Sequence, residues 1–193
     1  MSLQLNAATP TLTVNATSIA FGPVVVNNST TQTITLNSTG TAPVTVNSLS
    51  VTGSGFSASP LSLPKTLNPG QAITVTLTFN PSAVGAAAGQ LSIGSNSSTN
   101  PTLAITLSGT GNPHEVELSW VPPSNSSVPV AGYNIYRALG TGSSFVVLNS
   151  MDIQTAYVDT SVQTGQTYQY YVTSVDSSGM ESAPSNTTTV TIP

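Results

Sequence analysis

The sequence predicts an all-β chain built from two antiparallel sandwiches in tandem, and three observations predict it. Apolar and polar residues alternate with period two through most of the 193 residues, the pattern of strands buried on one face. Clusters of Asn, Ser, Thr, Gly and Pro interrupt the runs at short intervals, as turns do. No stretch carries the 3.6-residue periodicity of a helix. Many short strands with regular turns and no helices imply sandwiches.

The elements follow in order along the chain. Gln32-Thr33-Ile34-Thr35-Leu36 places aliphatic side chains on one face and Thr on the other. Ala72-Ile73-Thr74-Val75-Thr76-Leu77-Thr78-Phe79 repeats the pattern, and so does Leu103-Ala104-Ile105-Thr106-Leu107. Turn clusters stand between them: Asn-Ser-Thr-Gly at 37–40, Thr-Gly-Ser-Gly at 52–55 and Asn-Pro-Gly at 68–70. A composition break falls at Gly109-Thr110-Gly111-Asn112-Pro113. All six Tyr and the single Trp lie after it, whereas the aromatic residues before it are Phe21, Phe56 and Phe79. Two different cores are being built. The length suits two domains of about 100 residues, placed at 1–111 and 112–193.

Charge narrows the function classes sharply. Charged residues make up 4% of the chain, against roughly 25% in an ordinary soluble domain. Before Glu115 the only charged side chain is Lys65. Such a stretch lacks the titratable groups that acid–base catalysis needs and the carboxylate or thiolate ligands that metals need. The permanent cations are Lys65 and Arg137 alone, which excludes a phosphate-tracking surface and hence nucleic acid as a partner. Anionic membrane surfaces are disfavoured on the same ground. No apolar run reaches the roughly 18 residues of a membrane span, so membrane insertion is not expected. The absence of cysteine removes disulfides and thiol chemistry. The opening Met1-Ser2-Leu3 and the stop at Pro193, where a last strand would end, read as a piece of a longer protein.

The first half carries Ile19-Ala20-Phe21-Gly22, then Val24-Val25-Val26 and Thr31-Gln32-Thr33-Ile34-Thr35-Leu36. Further on stand Asn37-Ser38-Thr39-Gly40-Thr41-Ala42-Pro43-Val44, Leu67-Asn68-Pro69-Gly70-Gln71, Phe79-Asn80-Pro81 and Leu107-Ser108-Gly109-Thr110-Gly111. Over about residues 10–111 this set resembles the ASH (Hydin-type) immunoglobulin-like family. In physical terms, Pro69-Gly70 makes a tight turn into a strand, Thr39-Gly40 separates two antiparallel strands, and Phe21 and Phe79 plug the core between sheets. The resemblance implies an immunoglobulin-like sandwich of the kind repeated in bacterial surface proteins. Some ASH-family proteins are linked to cilia and centrosomes, which keeps an intracellular scaffold among the alternatives.

The second half carries Leu118-Ser119-Trp120-Val121-Pro122-Pro123, Gly132-Tyr133-Asn134-Ile135-Tyr136-Arg137, and Gly165-Gln166-Thr167-Tyr168-Gln169-Tyr170-Tyr171-Val172. Over about residues 114–193 it looks like a fibronectin type III module. The resemblance implies Trp120 as a core anchor on the second strand, with Tyr133 and Tyr170 facing the same core. It also implies a tyrosine corner in which the Tyr168 hydroxyl bonds back to the backbone just upstream. Only eight residues separate Gly111 from Trp120, too few for a linker and the usual first strand. Either that strand is missing, or the end of the first domain supplies its place. Both cases imply a short, stiff junction.

Candidate chemistry is sparse. His114 is the sole imidazole and is expected as an exposed linker histidine, since no G-x-S-x-G elbow accompanies it. Lys65 has no glycine loop before it, so a phosphate cradle is absent. Asp152, Asp159, Asp176 and Glu181 offer oxygen ligands for calcium but form no D-x-D-x-D loop. Asp176-Ser177-Ser178-Gly179 reads as a turn in which Asp176 bonds its own backbone and Gly179 takes positive φ. No Arg-Gly-Asp tripeptide stands in this loop, so the resemblance transfers no receptor. By strand alternation Tyr136 and Tyr171 face outward from neighbouring strands, as a candidate ligand face for a sugar ring or a protein. Covering the sheet by pairing across strands is the plainer role. The threonine arrays Thr31, Thr33, Thr35 and Thr74, Thr76, Thr78 follow from β-propensity and solvation without an ice-binding role. The sequons at Asn15, Asn27, Asn28, Asn37, Asn96, Asn125 and Asn186 matter only where the source glycosylates.

The sequence therefore reads as a non-catalytic spacer, adhesion or protein-interaction module of a larger secreted or surface-anchored bacterial protein, extracellular or in the cell envelope, with no cofactor. Its expected partners are a protein or a polysaccharide, and neighbouring immunoglobulin-like modules that cover edge strands poor in guarding charge. The alternative is an accessory carbohydrate-binding segment of an extracellular hydrolase.

Overall fold

The computed structural model describes residues 7–124, 126, 128–142 and 144–193; the Asn125 sequon and the opening Met1-Ser2-Leu3 lie outside them. Every regular element among the described residues is a strand, and the fold is all-β. The chain divides into two compact units, Met1–Asn112 and Pro113–Pro193.

The first unit is built from β1 (Leu12–Val14), β2 (Ser18–Val25), β3 (Thr30–Ser38), β4 (Val44–Thr52), β5 (Phe56–Ala58), β6 (Lys65–Leu67), β7 (Ala72–Phe79), β8 (Gly85–Ser95) and β9 (Thr102–Asn112). They form two sheets, in the orders β1-β3-β7-β5 and β2-β9-β8-β4-β6. Pairing between these strands is antiparallel except where β2 lies parallel to β9. These are the second and last strands of the unit, so most of the domain serves as their crossover connection. The Thr39-Gly40 turn joins β3 to β4, which lie in opposite sheets.

Period-two alternation explains the layering. On β3 and β7, Ile34, Leu36, Val75, Leu77 and Phe79 are buried, while the threonines between them face outward. Those threonines meet directly across the ladder as Thr31↔Thr78, Thr33↔Thr76 and Thr35↔Thr74, pairs that stabilise a solvated sheet face. Between the sheets Phe21, Phe56 and Phe79 form one aromatic cluster, with ring centroids 4.6–5.7 Å apart. Gly109 is dictated by this cluster, because a Cβ there would stand 2.5 Å from the Phe79 ring.

Three of the unit's four edge strands, β1, β5 and β6, are guarded by brevity more than by charge, whereas β2 is eight residues long. β1, β5 and β6 are three residues each, which leaves little unpaired backbone for another chain to template on. The unit's single lysine, Lys65, opens edge strand β6 and is exposed.

The second unit is built from β10 (Val116–Ser119), β11 (Val130–Leu139), β12 (Val146–Asp152), β13 (Ala156–Asp159), β14 (Thr167–Asp176) and β15 (Thr188–Thr191). β10 pairs with β13, and a four-stranded sheet runs β12-β11-β14-β15. The core between them holds Val116, Val162, Tyr168, Tyr170 and Ile192. Among the described residues no strand precedes β10 in this unit, and β9 is hydrogen-bonded to β2 and β8 in the first. Of the two alternatives for the missing strand, absence is the outcome. The three residues between Asn112 and Val116 are too few to make a turn and a strand.

Candidate functional site

The outer face of the four-stranded sheet gathers the aromatic residues that alternation leaves outside. Tyr136 on β11 lies directly opposite Tyr171 on β14. Their rings stack with centroids 4.6 Å apart and planes 19° from parallel. Phe145, just before β12, meets Tyr171 at 4.6 Å and 55°. The structure thus joins Tyr136, Tyr171 and Phe145 into one strip, of which Phe145 carried no sequence signal.

A carboxylate closes one end of that strip. Glu181, on the loop after β14, accepts hydrogen bonds from Asn134 Nδ2 at 2.8 Å, Tyr136 Oη at 2.8 and 2.9 Å, and Thr173 Oγ1 at 2.7 Å. Those donors hold the Glu181 carboxyl below the usual carboxylate range, Thr173 first and Tyr136 next. Burial and then the Glu181 carboxylate push the Tyr136 hydroxyl up. Stacking turns one face of each tyrosine ring toward the other, so a pyranose finds less open ring surface than two separate tyrosines would give. The arrangement is a half-buried strip pinned by a loop carboxylate.

On the opposite face the side chains build the core. Tyr133 meets Trp120 edge-on at 5.4 Å, Tyr168 and Tyr170 are buried, and Tyr168 Oη accepts the Gln163 N–H at 3.0 Å. Trp120 is half-buried, and its indole N–H is buried without a hydrogen-bond partner among the described residues. In the first unit Phe21 and Phe79 are buried in the core.

The acidic side chains proposed as oxygen ligands are dispersed and engaged. Asp152 accepts from Asn149 and Gln154. Asp159 is buried and accepts from Arg137, Ser161 and Tyr170. Asp176 Oδ1 accepts from the Ser178 N–H and hydroxyl and the Met180 N–H, while Gly179 takes φ +84° to close the turn. These bonds, that from the Ser178 hydroxyl foremost, keep the Asp176 carboxyl low. Among the described residues no three His, Asp or Glu side chains gather as a metal site. Two sequon asparagines are tied into the fold: Asn15 Oδ1 accepts from Thr35 N and Asn96 Oδ1 from Thr45 N.

One expectation needs correction. His114 is not an exposed linker residue but is 8% exposed, and its Nε2 has no partner among the described residues. Pro113–Glu115 are the only residues between β9 and β10, so the imidazole has no free tether to occupy.

The family model for Cep192 domain 4 matches residues 9–112. The chain belongs to the Cep192 domain 4 family. After this Cep192-type domain comes a fibronectin type III domain, whose model matches residues 99–191 and so begins within the first match. The chain is 40% identical over 80 residues to an amylopullulanase of Thermoanaerobacter thermohydrosulfuricus, spanning 42% of this chain and 5% of that protein. It is 33% identical over 86 residues to an amylopullulanase of Thermoanaerobacterium thermosulfurigenes, spanning 45% and 4%. The chain thus spans about one twentieth of the length of these curated relatives. A solved ASH/PapD-like domain of human CEP192 superposes with a TM-score of 0.46 at 20% identity, covering 57% of this chain and 92% of that one.

Proposed function

We propose that the two domains act as a non-catalytic spacer and interaction module within a larger extracellular or envelope protein. The observation that carries this reading is the engagement of four of the six acidic side chains. Asp152, Asp159, Asp176 and Glu181 each accept hydrogen bonds that hold a turn or join strands. Groups committed in that way hold loops and sheets, whereas a catalytic carboxylate needs to face a substrate. Two sandwiches in series then set distance and present surfaces, with a protein as the expected partner.

A second reading has its own support. The matches to two amylopullulanases favour an accessory segment of a polysaccharide hydrolase, with Tyr136, Tyr171 and Phe145 as the sugar-contacting strip. Affinity electrophoresis in gels containing starch, pullulan, cellulose or xyloglucan separates the two. The spacer reading expects no retardation of the chain in any gel. Retardation lost in the Tyr136→Ala/Tyr171→Ala double variant replaces it with the carbohydrate reading.

A further inference from the structure

Among the described residues the second domain lacks its first strand, and the side that strand would cover is open. Trp120 N–H bonds Thr155 O, so by the two-residue repeat of an antiparallel ladder the backbone groups of Val116, Leu118 and Trp120 face β13. Those of Glu117 and Ser119 face the other way, where β10 has no ladder partner among the described residues. The sequence that the fibronectin model aligns ahead of β10 starts at residue 99, and residues 102–112 are spent as β9 of the first domain.

The side chains tell the same story. Leu118 and Trp120 occupy core positions of β10 yet are only half-buried, and Val121 is 89% exposed. Two clefts of about 180 and 440 Å³ adjoin here, sharing Trp120, Val121, Val172 and Ser185 in their walls. The buried Trp120 indole N–H, which lacks a partner among the described residues, belongs to this same wall. A cleft with apolar walls at Leu118, Trp120, Val121 and Val172, beside free strand backbone, has the shape of a missing strand.

We propose that this groove binds an extended peptide of another protein, with alternating apolar and basic residues, which adds a strand to β10. Apolar side chains at every second position enter the cleft. The intervening residues face outward beside Glu115 and Glu117, both exposed, which favours Lys or Arg there. Charge also speaks against a second copy as the occupant. The chain's own permanent cations are Lys65 and Arg137 alone, and Arg137 is paired with Asp159.

The test uses the single tryptophan, which stands in the groove. The probe is the octapeptide Lys-Val-Thr-Val-Lys-Val-Thr-Val, which has no aromatic residue. Its binding is expected to shift Trp120 emission to the blue, saturably, and to weaken with added salt. Ser119→Pro removes one free-edge donor at a position where an edge strand tolerates proline. It is expected to weaken binding about tenfold, through one lost hydrogen bond and the clash of the ring with the incoming strand. Val121→Lys, at a solvent-facing position that folding does not depend on, puts a positive charge on the groove wall against the lysines of the peptide and is expected to weaken binding as well. The same peptide with Glu for Lys is expected not to bind. An absent shift, an equal shift in both variants, or equal binding of the Glu peptide overturns the proposal. So does dimerisation by sedimentation that Val121→Lys abolishes, which would make a second copy the occupant. If Ser119→Pro fails to fold, Val121→Lys decides. The spacer reading does not depend on this outcome, since it is decided by the polysaccharide gels.

Discussion

Arg137 Nη1 lies 2.7 Å from Asp159 Oδ2 and ties the two sheets of the fibronectin-type domain together, one partner on β11 and the other on β13. The same guanidinium nitrogen reaches Ser161 Oγ at 2.7 Å, and the guanidinium carbon lies 5.2 Å from the Tyr168 ring centroid. Asp159 is 2% exposed and also accepts the Tyr170 hydroxyl at 2.8 Å. A carboxylate this deep is tolerated because each oxygen has donors.

Removing the cation leaves that carboxylate without its charge partner. Arg137→Leu is expected to destabilise the second domain by about 3 kcal/mol, the scale of a broken buried pair. Denaturant unfolding followed by Trp120 emission reports on this domain alone, because the only Trp lies in it. Arg137→Lys is expected to recover only part of the loss, since an ammonium does not reproduce the planar fork over the ring. An unchanged midpoint in Arg137→Leu would show the pair to be incidental.

The same group sets a pH dependence. Burial disfavours the Asp159 anion, but hydrogen bonds from Ser161, Tyr170 and Arg137 outweigh it and hold the carboxyl below its ordinary value. A folded-state pKa below the unfolded value of about 3.9 gives stability that is present above that pH and lost as pH falls through the folded pKa. Trp120-reported stability is therefore expected to drop below about pH 4. Asp159→Asn is expected to lower stability at neutral pH and to flatten the acid slope. Asp176 and Glu181 shift in the same direction, so some slope remains.

In the first domain the Leu107-Ser108-Gly109 motif is a packing constraint. A Cβ at Gly109 would meet Phe79 ring atoms at 2.5, 2.7 and 2.9 Å. Phe79 is fully buried and stacked on Phe56 at 4.6 Å, so its ring has nowhere to swing. Gly109→Ala is expected to cost the first domain about 1–3 kcal/mol by overpacking. Calorimetry of the first-domain transition measures it, and a Phe79→Leu background is expected to make the same substitution nearly neutral. An additive double variant would refute the clash.

Sequence made the architecture legible where local chemistry decides it. The Thr/aliphatic alternation of β3 and β7 is a face-by-face statement of burial, and the Pro-Gly, Ser-Gly and Phe-Asn-Pro motifs carry the family. Long-range polar partners were hidden. Glu181 meets Asn134 and Tyr136 from 47 and 45 residues away, and Arg137 meets Asp159 across the sandwich. In both, the residues that meet are fixed by topology and loop path, which no local pattern encodes. Phe145 joins the aromatic strip from a loop, outside any alternation. His114 misled for a related reason, because its place between two strands in sequence does not encode its burial.

The Glu181 contact makes the last prediction. Tyr136 is held above the ordinary tyrosine pKa first by burial and then by the neighbouring carboxylate, which accepts its hydrogen bond and opposes its ionisation. Glu181→Gln keeps an acceptor but removes the charge, so Tyr136 is expected to ionise at lower pH while staying above a free tyrosine. Difference absorbance of tyrosinate, with Tyr136→Phe to mark which transition is lost, measures the shift. Glu181 is exposed, so the stability change is expected to stay within about 1 kcal/mol. The loop after β14 loses the charge that draws it to Asn134, Tyr136 and Thr173, and faster proteolytic nicking near Glu181 is expected. If the Tyr136 transition does not move, the carboxylate is not seated on the hydroxyl in solution, and the strip is open to ligands after all.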